Sequence, residues 1–230
     1  MKIAVWSGPR NLSTAMMYAF GNRADVTAWD EPFYASYLHA TGIIHPMNDA
    51  ILAAQPTDAM QVIADLAQTA ETPHSYFKLM THHMLPDVPL EWAKDCINVH
   101  LIRHPARVIA SYGAKRSEIT SNDIGFQRQA ELYDHLGGVV IDSFDVRANP
   151  QGVLERLCAA IGLPFDPAML RWPAGARPYD GVWADHWYGA VHKSTGFAGG
   201  EGELPVLDGR DAALRDAALP HYEKLAKLKL

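Results

Sequence analysis

Lys2-Ile3-Ala4-Val5-Trp6-Ser7-Gly8-Pro9-Arg10-Asn11-Leu12-Ser13-Thr14 joins an apolar run, a Gly-Pro turn and the start of a helix-forming stretch. Lys2 to Ser7 reads as a short buried strand, and Leu12 to Phe20, built of Ala, Met and Leu, as a helix. A loop between a strand and a helix N-terminus holds backbone N–H groups with no intrahelical acceptor, and the helix dipole adds positive charge there. Such a loop favours an anion. Arg10 adds a full charge, Ser13 and Thr14 add hydroxyl donors, and Gly8, Pro9, Asn11 and Leu12 complete the loop. The competing reading is a helix start capped by Asn11 or Ser13, which needs no ligand.

Outward from this segment, strands and helices alternate. Val26 to Asp30 and Ser75 to Met80 read as strands, separated by helical stretches around Asn48 to Gln55 and Thr57 to Thr69. Cys96 to Arg103 is the clearest buried strand; Pro105 then stands where a first helical turn tolerates proline, ahead of a helix through Val108 to Lys115. Asp123 to Leu136 reads as helix, Val139 to Ile141 as strand, and Pro150 to Ile161 as an amphipathic helix stopped by Gly162 and Pro164. From Trp172 to Gly202 the pattern dissolves into Gly, Pro, Trp and Tyr, a composition expected of a lid or substrate loop. Asp208 to Lys229 offers a last, surface-packed helix. The order predicts an α/β fold, one domain over residues 1–230 with a central parallel sheet flanked by helices.

Composition narrows the function. With 230 residues and 48% apolar content the chain closes one sizeable core, and a formal charge of −6 disfavours nucleic acid as a partner. The N-terminus reaches Gly8-Pro9-Arg10 before a signal-peptide core forms, and no apolar run approaches the roughly 18 residues of a membrane span. Cys96 and Cys158 form no C-x-x-C pair. The expectation is a soluble, cytoplasmic protein with no membrane partner.

A nucleotide kinase loop would carry G-x-x-x-x-G-K-[ST], whose Lys reaches the phosphates. Neither the second Gly nor the Lys is present, so this loop is expected to do different work.

The second motif is Arg103-His104-Pro105-Ala106-Arg107-Val108-Ile109-Ala110-Ser111-Tyr112, with an Arg at a strand end and a Ser eight residues later. Arg offers a planar fork for phosphate, and a helix brings Ser111 towards the same oxygens about two turns on. This pattern resembles the signature of the PAPS-dependent sulfotransferases, a family of the P-loop superfamily that uses 3′-phosphoadenosine 5′-phosphosulfate (PAPS). The resemblance implies that Arg103 and Ser111 grip the 3′-phosphate. Pro9 to Thr14 is then similar to the family's 5′-phosphosulfate loop, P-[KR]-S-G-[ST]-[ST]: Arg10, Ser13 and Thr14 match, whereas Asn11 and Leu12 depart from it. Leu12 stands where the family has a Gly that tolerates positive φ. Asn149-Pro150-Gln151 and Leu163 to Leu170 resemble a late packing helix and turn of bacterial members. Lys193, in His192-Lys193-Ser194-Thr195-Gly196-Phe197, is the candidate for a basic loop returning to the 3′-phosphate.

The resemblance also implies a sulfuryl acceptor, a small molecule bearing a hydroxyl or amine, and a base for its proton. A sulfuryl group carries less charge than a phosphoryl group, so Arg10 and the loop amides are expected to suffice without metal. Glu31, in Trp29-Asp30-Glu31-Pro32, occupies a position similar to the glutamate of several bacterial members. Lys78, His82 and His83 lie in Phe77-Lys78-Leu79-Met80-Thr81-His82-His83, similar to the K-T-H-L-P segment of animal and plant members but with two extra residues. The preferred assignment is Glu31 as base, with Asp30 sharing the role or capping the turn, and Lys78 stabilising the leaving oxygen; His82 or His83 is the alternative base. A metal held by His82, His83, His186 and His192 is disfavoured, because neighbours in an extended segment point to opposite faces.

Trp172, Tyr179, Trp183, Trp187 and Tyr188 are candidates to wall an acceptor pocket. Two other functions compete: a P-loop nucleotide kinase or hydrolase, and an inactive nucleotide-binding module of the same fold.

Overall fold

The computed structural model describes residues 1–68, 70–114 and 118–230. Five parallel strands, β1 (Lys2–Ser7), β2 (Val26–Asp30), β3 (His74–Met80), β4 (Ile97–Ile102) and β5 (Val139–Asp142), form one sheet in the order β2-β3-β1-β4-β5. Alternation along β1 supplies both cores. Ile3 and Val5 face one side with Tyr76, Val99, Leu101 and Ile141, while Ala4 and Trp6 face the other with Phe77 and Leu79.

Helices α1 (Ser13–Gly21), α2 (Tyr34–Thr41), α3 (Asn48–Ala54) and α4 (Ala59–Ala67) precede β3. Between β4 and β5 run α5 (Pro105–Gly113), α6 (Ser121–Ile124) and α7 (Phe126–Leu136); α8 (Ser143–Ala148), α9 (Pro150–Ile161), α10 (Ala184–Trp187), α11 (Gly189–His192) and α12 (Gly209–Ala226) follow. α1 and α9 cover the first face, through Met16, Phe20, Leu154 and Leu157; α4 and α7 cover the second, through Val62, Leu66 and Leu132. Among the described residues no helix is long and apolar enough to cross a membrane.

Several sequence boundaries shift. The helix expected over Asp123 to Leu136 is two, broken at Gly125, whose φ of 65° is left-handed and whose added Cβ would meet Thr81 Oγ1 at 2.5 Å. Helices α2 and α8 were not expected, and α10 and α11 lie inside the supposedly irregular 172–202 segment. The final helix ends at Ala226; Lys229 instead forms a parallel bridge with Val140 of β5, because that outer edge still has backbone groups to satisfy. The helix ends expected at Thr69 and Lys115 lie outside the described residues.

Candidate active site

Parallel pairing sets three strand ends level: Ser7 lies opposite Met80 of β3 and Leu101 of β4. After β1 the chain turns towards the β2 side, whereas after β4 it turns towards β5. Divergent loops at the carboxyl ends of adjacent strands open a crevice, where α/β sheets bind ligands. A cavity of about 390 Å³ opens there.

One wall is the loop after β1. Arg10 and Leu12 hold φ of 61° and 71°, so Leu12 adopts the left-handed conformation for which a glycine would be better suited, at about 1–2 kcal/mol. Asn11 does not cap α1. Its Nδ2 donates to Leu101 O at 3.2 Å, pinning the loop to β4, and α1 begins with no side-chain cap at all. The capped-helix reading therefore fails, and the first-turn segment Ser13, Thr14 and Ala15 lines the cavity. Pro9, Arg10, Asn11 and Leu12 line it too. Gly8 does not; it lies under Ile124, whose carbonyl oxygen would stand 2.6 Å from an added Cβ.

The second motif meets the first. Arg103 Nη1 donates to Arg10 O at 2.6 Å, and Arg10 Nε donates to Ser111 Oγ at 3.0 Å. Pro105 is at the first position of α5, and the His104 side chain accepts from Ala106 N, so the helix start that carries Arg107 is fixed. Burial and the Arg103 guanidinium push the pKa of Arg10 down, with Tyr112 opposing. Lys193 stands apart, exposed at the C-cap of α11 and outside the cavity lining. The further cations come from Arg107 and Arg147, which converge with Arg103 on Glu201.

Across the cavity lies a buried charge cluster. β2 and β3 place Asp30 opposite Lys78. Lys78 Nζ lies 2.9 Å from Asp30 Oδ1, 2.6 Å from Glu31 Oε1 and in contact with Tyr188 Oη, which commits its three donors. Tyr188 Oη lies 2.8 Å from both Asp30 oxygens and accepts from Trp183 Nε1 at 3.0 Å. Glu31 has φ 43°, a strained value for a non-glycine residue. Its N–H on Lys78 O and its carbonyl on Gln55 Nε2 hold it there. Burial pushes the Glu31 pKa up, against the pull of Lys78 and with the help of Asp30. For Lys78 burial pulls down, but the two carboxylates outweigh it and the pKa rises. Burial next to Asp30 and Glu31 holds the Tyr188 phenol well above its ordinary value.

His82 and His83 are not in an extended segment. They occupy a 3₁₀ turn, Thr81–His83, with ring centroids 4.4 Å apart, and both line the cavity. His83 stacks on Tyr34 at 4.6 Å and Tyr37 at 4.8 Å; burial, then the neighbouring His82, His45 and Lys78, depress its pKa well below the usual range. His186 packs on Trp187 and His192 bonds Asp180, so neither joins the pair. Of the aromatic candidates, Trp183, Trp187 and Tyr188 line the cavity. Trp172 and Tyr179 pack against Tyr18 instead.

Sequence reasoning missed Tyr188 as a partner of the charge cluster, and Arg107, Arg147 and Glu201 altogether. Arg107 had a readable signal, lying one helical turn after Arg103. Glu201 and Arg147 are far apart in sequence and had none.

A sequence model of the sulfotransferase domain matches residues 1–228. Two Arabidopsis thaliana proteins, named branched-chain-amino-acid aminotransferase-like protein 2 and 1, are 33% identical over 202 residues and 35% identical over 199. Those stretches cover 85% and 84% of this chain but 36% of each relative, so the chain spans about a third of their length. Among solved structures, a sulfotransferase domain from the curacin biosynthetic pathway superposes with TM-score 0.51 at 17% identity, covering 95% of this chain and 96% of that one. A sulfotransferase domain from the Synechococcus PCC 7002 olefin synthase gives 0.54 at 18%, covering 98% and 94%. At these identities the likeness is one of fold.

Proposed function

Because the chain belongs to the sulfotransferase domain family, we propose that it binds PAPS and transfers the sulfuryl group to a hydroxyl or amine of a small acceptor. The observation that carries this reading is the meeting of two anion motifs: Arg10 touches both Arg103, through its carbonyl, and Ser111, through its guanidinium. One nucleotide with a 5′-phosphosulfate and a 3′-phosphate needs both. Buried Arg103 Nε, with no acceptor among the described residues, fits an absent anion.

In this reading the 5′-phosphosulfate lies on the Arg10 loop, whose amides and guanidinium take up charge on the leaving phosphate oxygen. The acceptor oxygen or nitrogen forms a bond to sulfur as the bridging S–O bond breaks, and the electron pair departs with adenosine 3′,5′-bisphosphate. Glu31 takes the acceptor proton; burial raises its pKa and so makes the carboxylate a stronger base than an exposed glutamate. Lys78, expected from the sequence to stabilise the leaving oxygen, has its three donors engaged by Asp30, Glu31 and Tyr188, so its role in this reading is instead to orient Glu31 and Asp30. Trp183, Trp187 and Tyr188 wall the acceptor side. Free thiols at Cys96 and Cys158 fit a reducing compartment such as the cytoplasm.

Thermal shift tests this. At about a hundred times its dissociation constant, adenosine 3′,5′-bisphosphate should add roughly 2.7 kcal/mol. For a chain of this size that is a rise of roughly 5 to 11 °C. ATP with magnesium should give no comparable shift; a larger one would favour a kinase or hydrolase. A PAPS assay with pooled acceptors then reads turnover, and binding without turnover would mark an inactive module.

A further inference from the structure

Glu201 sits in Gly199-Gly200-Glu201-Gly202, with its side chain only 1% exposed. Three guanidiniums surround it, Arg103 and Arg107 from the junction of β4 and α5 and Arg147 from α8. Arg103 Nη2 and Arg147 Nη1 bond Oε1, the latter at 2.8 Å, and Arg107 Nε lies 3.0 Å from Oε2. The same arginines hold the flanking backbone: Arg147 Nε donates to Gly199 O at 2.9 Å, and Arg107 Nη2 to Gly202 O.

The fit is incomplete. Arg103 Nε is buried with no acceptor among the described residues, and Glu201 Oε2 accepts no well-formed hydrogen bond despite its proximity to Arg107. One planar carboxylate has two oxygens and one negative charge. Three guanidiniums, two of them crowding Oε1 and the third beside Oε2, carry more positive charge and more donors than one carboxylate can match, and suit a tetrahedral group with three terminal oxygens and charge near −2. A phosphoryl group has that shape, and the glycines on either side let the segment leave without disturbing a packed element.

We propose that Glu201 is a built-in competitor for a phosphoryl group at the Arg103, Arg107 and Arg147 site, and thereby a specificity-determining residue. The phosphate displaces the carboxylate and releases residues 199–202, so an anion too weak to do this is rejected. The identity of that group as a nucleotide 3′-phosphate rests on the function proposed above; the competition does not.

The test measures binding of adenosine 3′,5′-bisphosphate and adenosine 5′-monophosphate to the wild type and Glu201→Gln by calorimetry. Removing the competing charge should tighten the bisphosphate by about tenfold or more and leave the monophosphate unchanged. An unchanged or weakened bisphosphate, or an equal gain for both nucleotides, overturns the proposal. Hydrogen exchange on the wild type covers the case of a misfolded variant: amides 199–202 should exchange faster with bisphosphate bound, and protection there would overturn it. Inorganic phosphate separates the two readings. If it speeds that exchange while the bisphosphate fails to bind, Glu201 stands as competitor and the nucleotide reading falls; if neither ligand has any effect, both fall.

Discussion

Lys78 Nζ lies 2.6 Å from Glu31 Oε1, one residue beyond the ladder position where Asp30 of β2 faces Lys78 of β3. A salt bridge buried this deeply contributes little net stability, since desolvation of both ions offsets their attraction. Its value is geometric. The ammonium fixes the direction of a carboxylate on a strained backbone, at the edge of the cavity.

Glu31→Gln is expected to lower turnover by roughly a hundred- to ten-thousandfold with little change in bisphosphate affinity, as loss of a general base does. The pH profile adds a second readout. A base works only when deprotonated, so a raised pKa moves the acid limb of kcat/KM above the ordinary glutamate value of 4.5, and activity falls as pH drops through it. Steady-state rates across pH check this. Full activity in the variant, alongside an inactive His82→Ala or His83→Ala, would transfer the role to the histidine pair.

Arg103→Ala should weaken adenosine 3′,5′-bisphosphate by roughly ten- to a hundredfold, the equivalent of a charged hydrogen bond of about 1.5 to 3 kcal/mol. Adenosine 5′-monophosphate should lose less. Titration of both ligands decides it, and equal losses would mean that Arg103 acts by holding the Arg10 carbonyl alone.

Tyr188→Phe removes the oxygen that Lys78, Trp183 and Asp30 share. Leaving those buried groups short of a partner costs about 1–3 kcal/mol, a fall in Tm of roughly 2 to 12 °C for this chain length. Differential scanning calorimetry measures it. An unchanged Tm would show that the phenol is not part of what holds Lys78.

His100 is fully buried, its Nε2 3.0 Å from Gly137 O, and burial depresses its pKa to about 4. Between the unfolded value of about 6.5 and 4 the unfolded chain binds the extra proton, so stability falls as pH drops through that window, by about 3 kcal/mol at pH 4. His100→Gln, which does not titrate, should show a shallower loss over the same range. Urea denaturation at stepped pH compares them, and parallel curves would refute the assignment.

Most of the frame was readable because it is local. Val26 to Asp30 and Pro150 to Ile161 carry their periodicity and stop signals within the segment, and both match the observed elements. Gly125 was harder: its break depends on Thr81, in contact from 44 residues away. At the site, the loop after β1 was legible from residue types, yet Asn11 appeared there as a departure from a motif. Its tie to Leu101 O becomes visible only once β1 and β4 are neighbours. Tyr188 and Glu201 reach the site from the Gly- and aromatic-rich segment, whose positions no periodicity specifies.

The strand order has a consequence for how the chain is made. β1 is the sheet's centre, yet Ile3 pairs with Tyr76 on one side and Ile97, about 90 residues on, at the other. At roughly 5 to 20 residues per second a ribosome leaves that apolar strand without its second neighbour for on the order of 5 to 20 seconds. Parallel pairing over such separations is also slow in itself. During synthesis, then, Ile3 to Trp6 is an apolar segment that a chaperone would have reason to cover.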